Sequence, residues 1–138
     1  MSETSTPPSK PQVVSTAYSG PYWQGLVDGE LLLQICSACG QVRHYPRLLC
    51  DRCYSDQVRW HAASGRGKIH SWTVAHHAYH PGFAAELPYT LVTVDLIEGP
   101  RALGRWLGDG LTIGLCVRLR IVNDTGQPEL SFECDPAA

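Results

Sequence analysis

The chain is short of positive charge. Its 138 residues carry 11 Lys and Arg against 13 Asp and Glu, a net charge of −2 with an isoelectric point near 6.3. A general nucleic-acid binder shows the opposite balance, because it has to neutralise phosphates. Also missing is any apolar run approaching the roughly 18 residues that span a bilayer. No charged-then-apolar leader opens the sequence, which argues against a signal peptide. These gaps lead to the expectation of a cytoplasmic protein that engages neither membrane nor nucleic acid. The length allows one domain or two very small ones.

What is present is a set of paired cysteines, Cys36-Ser37-Ala38-Cys39 and Cys50-Asp51-Arg52-Cys53. Two thiolates at this spacing wrap one metal ion, because a tight turn aims both sulfurs inward. Two such pairs supply the four-sulfur tetrahedron of a closed structural zinc site. Gly40 follows the first pair, where the turn wants a residue that tolerates positive φ. All four positions are filled by protein, so the reading is structural zinc rather than catalytic zinc. Sulfur ligands alone do not separate zinc from iron. Cys116 and Cys134 lie outside the set, in apolar strand-like runs, and are expected as small buried hydrophobes.

The hydrophobic pattern divides the chain. Residues 1–17 are rich in Ser, Thr and Pro without periodicity and read as a mobile tail. Pro21 to Asp28 can form a short helix, ended by Gly29, with Tyr22, Trp23, Leu26 and Val27 on one face. Strands around 31–35, 43–45 and 58–60 enclose the two cysteine turns, the order of a zinc ribbon. Ser64-Gly65-Arg66-Gly67 marks a boundary, placing helix and ribbon in 18–63 and a second unit in 64–138. That second unit reads as five strands: 68–76, 89–97, 101–107, 116–122 and 130–134. Alternation is cleanest at Val117, Leu119 and Ile121. No helix is long enough to cover an open sheet of this size, so a small closed barrel of the five-stranded OB type is expected. The fold class is therefore mostly β. Trp60 and Trp72 are expected in the ribbon and barrel cores, although an OB-fold can also stack bases on such rings.

Two further features are candidates for chemistry. Between residues 43 and 68 lie Arg43, Arg47, Arg52, Arg59, Arg66 and Lys68 against only Asp51 and Asp56. Guanidinium groups bind phosphate oxygens in pairs, although the same pattern fits a solvated ribbon surface. The long loop His76 to Pro88 carries His76, His77, His80, Tyr79 and Phe83. Its histidines have only Glu86 near them in sequence, so contact with a partner or solvent is the simpler reading than catalysis.

The motifs Tyr22-Trp23-Gln24-Gly25-Leu26, Gly29-Glu30-Leu31-Leu32-Leu33-Gln34-Ile35-Cys36, Cys39-Gly40 and Tyr45-Pro46-Arg47 resemble a known bacterial and archaeal family. So do Ser64-Gly65-Arg66-Gly67, Pro88-Tyr89 and Leu96-Ile97-Glu98-Gly99-Pro100-Arg101. That family pairs a rubredoxin-like zinc ribbon with an OB-fold and was long labelled a domain of unknown function. The similarity covers roughly residues 20 to 125. It implies an accessory subunit beside thiolase-like or hydratase-like enzymes that act on CoA thioesters, by thiolysis, aldol cleavage or acetoacetyl transfer. The small protein would carry no nucleophile; it would dock its partner, with two copies of each chain by analogy. Under that resemblance Cys36, Cys39, Cys50 and Cys53 hold zinc, Arg47, Arg43 and Lys68 are candidates for contacting CoA, and Tyr22, Trp23, Leu26, His80 and Phe83 for docking. Two other readings stand beside it: a free-standing acyl-CoA or acyl-carrier binder, and a nucleic-acid module, which the charge balance disfavours.

Overall fold

The computed structural model describes residues 8–137. Helix α1 (Gly20–Val27) begins with proline in its first turn, where the missing N–H costs nothing. It ends at Gly29, whose φ of +84° suits a residue without Cβ. The Gly29 N–H bonds to Leu26 O and the Glu30 N–H to Gly25 O, so the last carbonyls of the helix are satisfied. The buried face is Tyr22, Gly25 and Leu26, packed toward strand β1 (Leu32–Cys36). Val27, expected on that face, is exposed: the close approach runs through Gly25, which turns Val27 outward.

Strand β1 is the centre of a three-stranded antiparallel sheet. β2 (Val42–Arg43) lies on one side and β3 (Val58–Ala62) on the other. Each link between these strands carries a cysteine turn, so the sheet sets the spacing of the two knuckles.

The second unit is a closed barrel in the order β4-β5-β6-β8-β7. Its strands are β4 (Arg66–Ala75), β5 (Tyr89–Leu96), β6 (Arg101–Trp106), β7 (Cys116–Val122) and β8 (Glu129–Cys134). β6 and β8 run parallel and every other pair is antiparallel. The core is formed by Ile69, Val92, Val94, Leu96, Val117 and Phe132, with Trp106 nearly enclosed. Alternate residues of β6 are buried, the signature of a strand with one face inward. A two-turn 3-10 helix, Pro81–Glu86, interrupts the long loop between β4 and β5.

Three expectations for single residues are corrected. Trp72 is 41% exposed, because β4 runs on past the closed part of the barrel. Cys134 is exposed and Cys116 only half-buried, since both stand at the ends of their strands. Trp60, by contrast, packs against the core. Of the tail, residues 1–7 lie outside the described residues. Residues 8–17 run along the barrel, where Lys10 pairs with Glu86 at 3.0 Å and Glu129 at 2.6 Å. The Val13 N–H donates to Gln127 Oε1. Among the described residues no helix is long and apolar enough to cross a membrane.

Candidate metal centre and docking cleft

The two knuckles have the same backbone. In the first, Gly40 N–H donates to Cys36 O at 2.8 Å and Cys36 N–H to Gln41 O at 2.9 Å. In the second, Tyr54 N–H donates to Cys50 O and Cys50 N–H to Ser55 O, both at 2.9 Å. Gly40 takes φ +80° to do this and Tyr54 takes φ +62°. The cysteine spacing marks both turns, but a glycine marks the positive-φ position only in the first; in the second it is taken by a tyrosine.

These turns bring the four sulfurs within 4.8 Å of one another. Cys36 and Cys53 are 3.5 Å apart, and Cys39 and Cys50 3.6 Å. Thiolates about 2.3 Å from one tetrahedral zinc stand about 3.8 Å from each other, so the donor set fits the ion. The electrostatics agree. The backbone N–H of Cys39 leads in lowering Cys36 to about 6, and that of Cys53 leads in lowering Cys50. At Cys53 the Ser55 N–H favours the thiolate, yet the neighbouring thiols of Cys36, Cys39 and Cys50, together with burial, push it up to about 12. Backbone dipoles thus prepare thiolates that cannot all ionise beside one another, and a bound dication removes the conflict. With four sulfurs engaged no position stays open for a substrate.

Gln34 was not singled out by sequence. It is buried, and its Oε1 accepts from Arg43 Nε at 2.9 Å and from the backbone N–H of Arg47 at 2.8 Å. The signal was there: one amide inside the apolar run Leu31–Ile35. Arg43, only 5% exposed, is held inside the ribbon by this contact. It is not a free cation for phosphate, and its expected role at CoA is corrected accordingly. Arg47 is exposed, with Asp51 at 4.0 Å. Lys68 lies elsewhere, on β4, at a barrel cleft of about 430 Å³ that also includes Arg66, Cys116 and Asp135. The three basic candidates therefore do not form one site.

The docking candidates do converge. A cleft of about 290 Å³ between α1 and the outer face of β5 and β6 is lined by Trp23, Tyr45, Phe83, Leu91, Leu103 and Leu130, among others. Lys10, Pro11 and Val13 of the tail form another of its walls. Tyr22 and Leu26 reach it only from below. At 1% and 2% exposure they fasten the helix to the body and offer no surface for the docking expected of them. Tyr22 meets Trp23 edge to face at 4.8 Å. His80 shapes the loop: its Nδ1 accepts from Gly82 N–H at 3.0 Å and caps the 3-10 helix that presents Phe83. His76 and His77 are exposed, and among the described residues the four cysteines form the one group of potential ligands gathered tightly enough to hold a metal.

Comparison with known proteins agrees with this architecture. Residues 23–59 match the model of the ChsH2 rubredoxin-like zinc ribbon domain, and residues 60–122 that of the ChsH2 C-terminal OB-fold domain. The chain is 39% identical over 105 residues to a probable enoyl-CoA hydratase alpha subunit of Thermomonospora curvata, covering 74% of this chain and 32% of that one. It is 31% identical over 105 residues to the 3-oxo-4,17-pregnadiene-20-carboxyl-CoA hydratase alpha subunit of Mycobacterium tuberculosis, covering 74% of this chain and 33% of that one. The chain thus spans about a third of the length of these two relatives. Among solved structures it resembles a chain of the Ltp2-ChsH2(DUF35) aldolase, with a TM-score of 0.79 and 29% identity over 89% of this chain and 98% of that one. Ribbon, barrel and cysteine set together place the chain in the ChsH2 (DUF35) family of rubredoxin-like zinc ribbon plus OB-fold proteins.

Proposed function

We propose that this chain is a non-catalytic, zinc-binding accessory subunit of a thiolase-type acyl-CoA complex in the cytoplasm. The observation that carries the reading is the match to nearly the whole of the DUF35 chain of an aldolase. The names of the hydratase relatives point to CoA thioesters as the substrate class, and one of them to a steroid-derived acyl group. The reaction would be thiolysis or aldol cleavage of such a thioester, with nucleophile and acid–base groups supplied by the partner. A zinc ion held by Cys36, Cys39, Cys50 and Cys53 would fix the ribbon and helix as one body. Trp23 and Phe83, brought to one cleft, would form the docking surface, and large rings suit that task because they bury much area at little entropic cost. Arg47 and Lys68 remain candidates for contact with CoA phosphates, at separate places. Two copies of each chain would assemble.

A nucleic-acid role is disfavoured by an observation beyond charge. OB-folds bind oligonucleotides on the face of their second and third strands. Here that face is β5 and β6, and the chain's own Lys10–Val13 segment and Phe83 lie over it. The test is reconstitution. The thiolase-like enzyme, purified alone, should turn over its acyl-CoA thioester poorly and recover when this chain is added. Full turnover without the chain, or turnover by the chain alone, would refute the reading.

A further inference from the structure

Strand β4 is longer than the barrel needs. It pairs with β5 along its length, from Gly67 opposite Leu96 to Ala75 opposite Tyr89, with a register shift between Ile69 and Ser71. Its other edge meets β7 only at Arg66, Gly67 and Lys68. Ile69 then exchanges backbone hydrogen bonds with Leu115 and Gly114. Past that point no described residue pairs with the edge, so among the described residues the outward backbone groups between Ser71 and Ala75 have no strand partner; the Ser71 carbonyl accepts from the Thr93 hydroxyl, at 3.3 Å, from the side of β5.

Both faces of the same stretch are bare. His70, Ser71, Trp72, Thr73 and Val74 are all exposed, an unusual run for a strand entering a barrel wall. Trp72 pairs across the ladder with Val92 and Val74 with Thr90. Val92 is fully buried, so Trp72 (41% exposed) and Val74 (45%) continue the barrel's inner apolar face beyond its end. On the opposite face the Ser71 and Thr93 hydroxyls bond at 2.7 Å. Solvent-facing edges are ordinarily blunted by charge or proline. The segment Ser71-Trp72-Thr73-Val74-Ala75 has neither.

We propose that this edge is a strand-addition site for an extended, uncharged segment of the enzyme subunit, an assignment that rests on the accessory-subunit reading above. Unpaired N–H and C=O groups in a row are met in full only by another extended backbone, with side-chain contacts giving selectivity. A second copy of this chain fits poorly. Self-pairing through the edge would engage five residues a side, whereas a stable interface takes about 20–30. It would also leave both faces bare, which a large subunit can cover together with the edge. With no Lys or Arg in Ile69–Ala75, the stretch offers little to a phosphate backbone.

Hydrogen–deuterium exchange on the free chain and on the purified complex with its enzyme subunit tests this. The outward-facing amides within 71–75, those not spent on β5, should exchange fast in the free chain and become protected in the complex. Val74→Lys, which puts charge on the edge, should weaken assembly at least about tenfold while moving the free chain's melting temperature by no more than about 2 °C. Should Val74→Lys unfold the chain, Trp72→Ala is read in the same way. A complex that forms while these amides exchange at the free-chain rate, or that binds Val74→Lys with unchanged affinity, overturns the assignment and leaves the subunit reading intact. Protection already present in a self-associated free chain gives the edge to a second copy and overturns it as well. Absence of any complex overturns both.

Discussion

Gln34 Oε1 lies 2.9 Å from Arg43 Nε inside the ribbon and, with the Arg47 carbonyl 3.4 Å from Nη2, partners a guanidinium that is 5% exposed and whose Nη1 has no acceptor among the described residues. The same oxygen holds the Arg47 backbone N–H at 2.8 Å, so one amide fastens β1, β2 and the loop that carries Tyr45 and Arg47. Gln34→Leu takes the acceptor away from the buried cation, a loss of about 1.5–3 kcal/mol. Chemical denaturation of the zinc-loaded chain reads it. Arg43→Met in the Gln34→Leu background should recover a large part of the loss, because the charge is gone. Additive losses from the two substitutions would show that the residues act independently.

Tyr54 holds φ +62° so that the second cysteine turn can copy the first, where Gly40 sits. Its ring is exposed, so nothing in packing compensates the backbone. Tyr54→Gly should therefore stabilise the chain by roughly 1 kcal/mol, with zinc content unchanged. A destabilised Tyr54→Gly variant would mean that the ring makes a contact the free chain does not show.

Burial holds the His44 imidazole down at about 4, from 6.5 in the unfolded chain. The unfolded chain thus takes up a proton near pH 6.5 that the folded chain refuses until about pH 4. The contribution is complete above pH 6.5 and declines as pH falls toward 4, by about 1.4 kcal/mol per unit. Urea unfolding at several pH values should show this slope, and His44→Phe should flatten it relative to wild type at matched zinc loading. An equal slope in both proteins would assign the pH dependence to other groups, the thiolates and the paired carboxylates of Glu86, Asp95 and Glu133.

Trp23 is half-buried at the cleft while its neighbour Tyr22 is enclosed. Trp23→Ala should weaken enzyme binding by more than about 2 kcal/mol, the range of an aromatic hot spot, and cost the isolated fold less. Tyr22→Ala should do the reverse and lower the melting temperature of the free chain. If Trp23→Ala lowers stability as much as Tyr22→Ala does, Trp23 belongs to the core. Arg47→Ala should raise the KM for the thioester without stopping turnover; an unchanged KM removes Arg47 from the CoA site.

Local signals made much of this fold legible. The cysteine spacing encodes both knuckles, the alternation of Val117, Leu119 and Ile121 encodes β7, and Glu98-Gly99-Pro100 encodes the turn between β5 and β6, where Gly99 takes φ +111°. What stayed hidden depends on long-range contacts. Arg43 reads as a surface cation until Gln34, nine residues away, is seen to accept from it. Trp72 reads as core until β4 is seen to outrun the barrel. The anchoring of Lys10 spans 76 residues to Glu86 and 119 to Glu129, far beyond any periodicity in the sequence. The docking candidates fall between these cases. Composition marks the aromatic helix and loop, while only the packing separates half-buried Trp23 and Phe83 from fully buried Tyr22 and Leu26.

The most direct test of the central claim is native mass spectrometry on the tagged chain isolated from its own cells. The account predicts a species holding one zinc per chain, bound to a thiolase-like acyl-CoA enzyme that dissociates when the zinc is chelated. A zinc-loaded chain that is monomeric at every concentration would contradict it, as would a complex that survives the Cys36→Ser and Cys50→Ser substitutions intact.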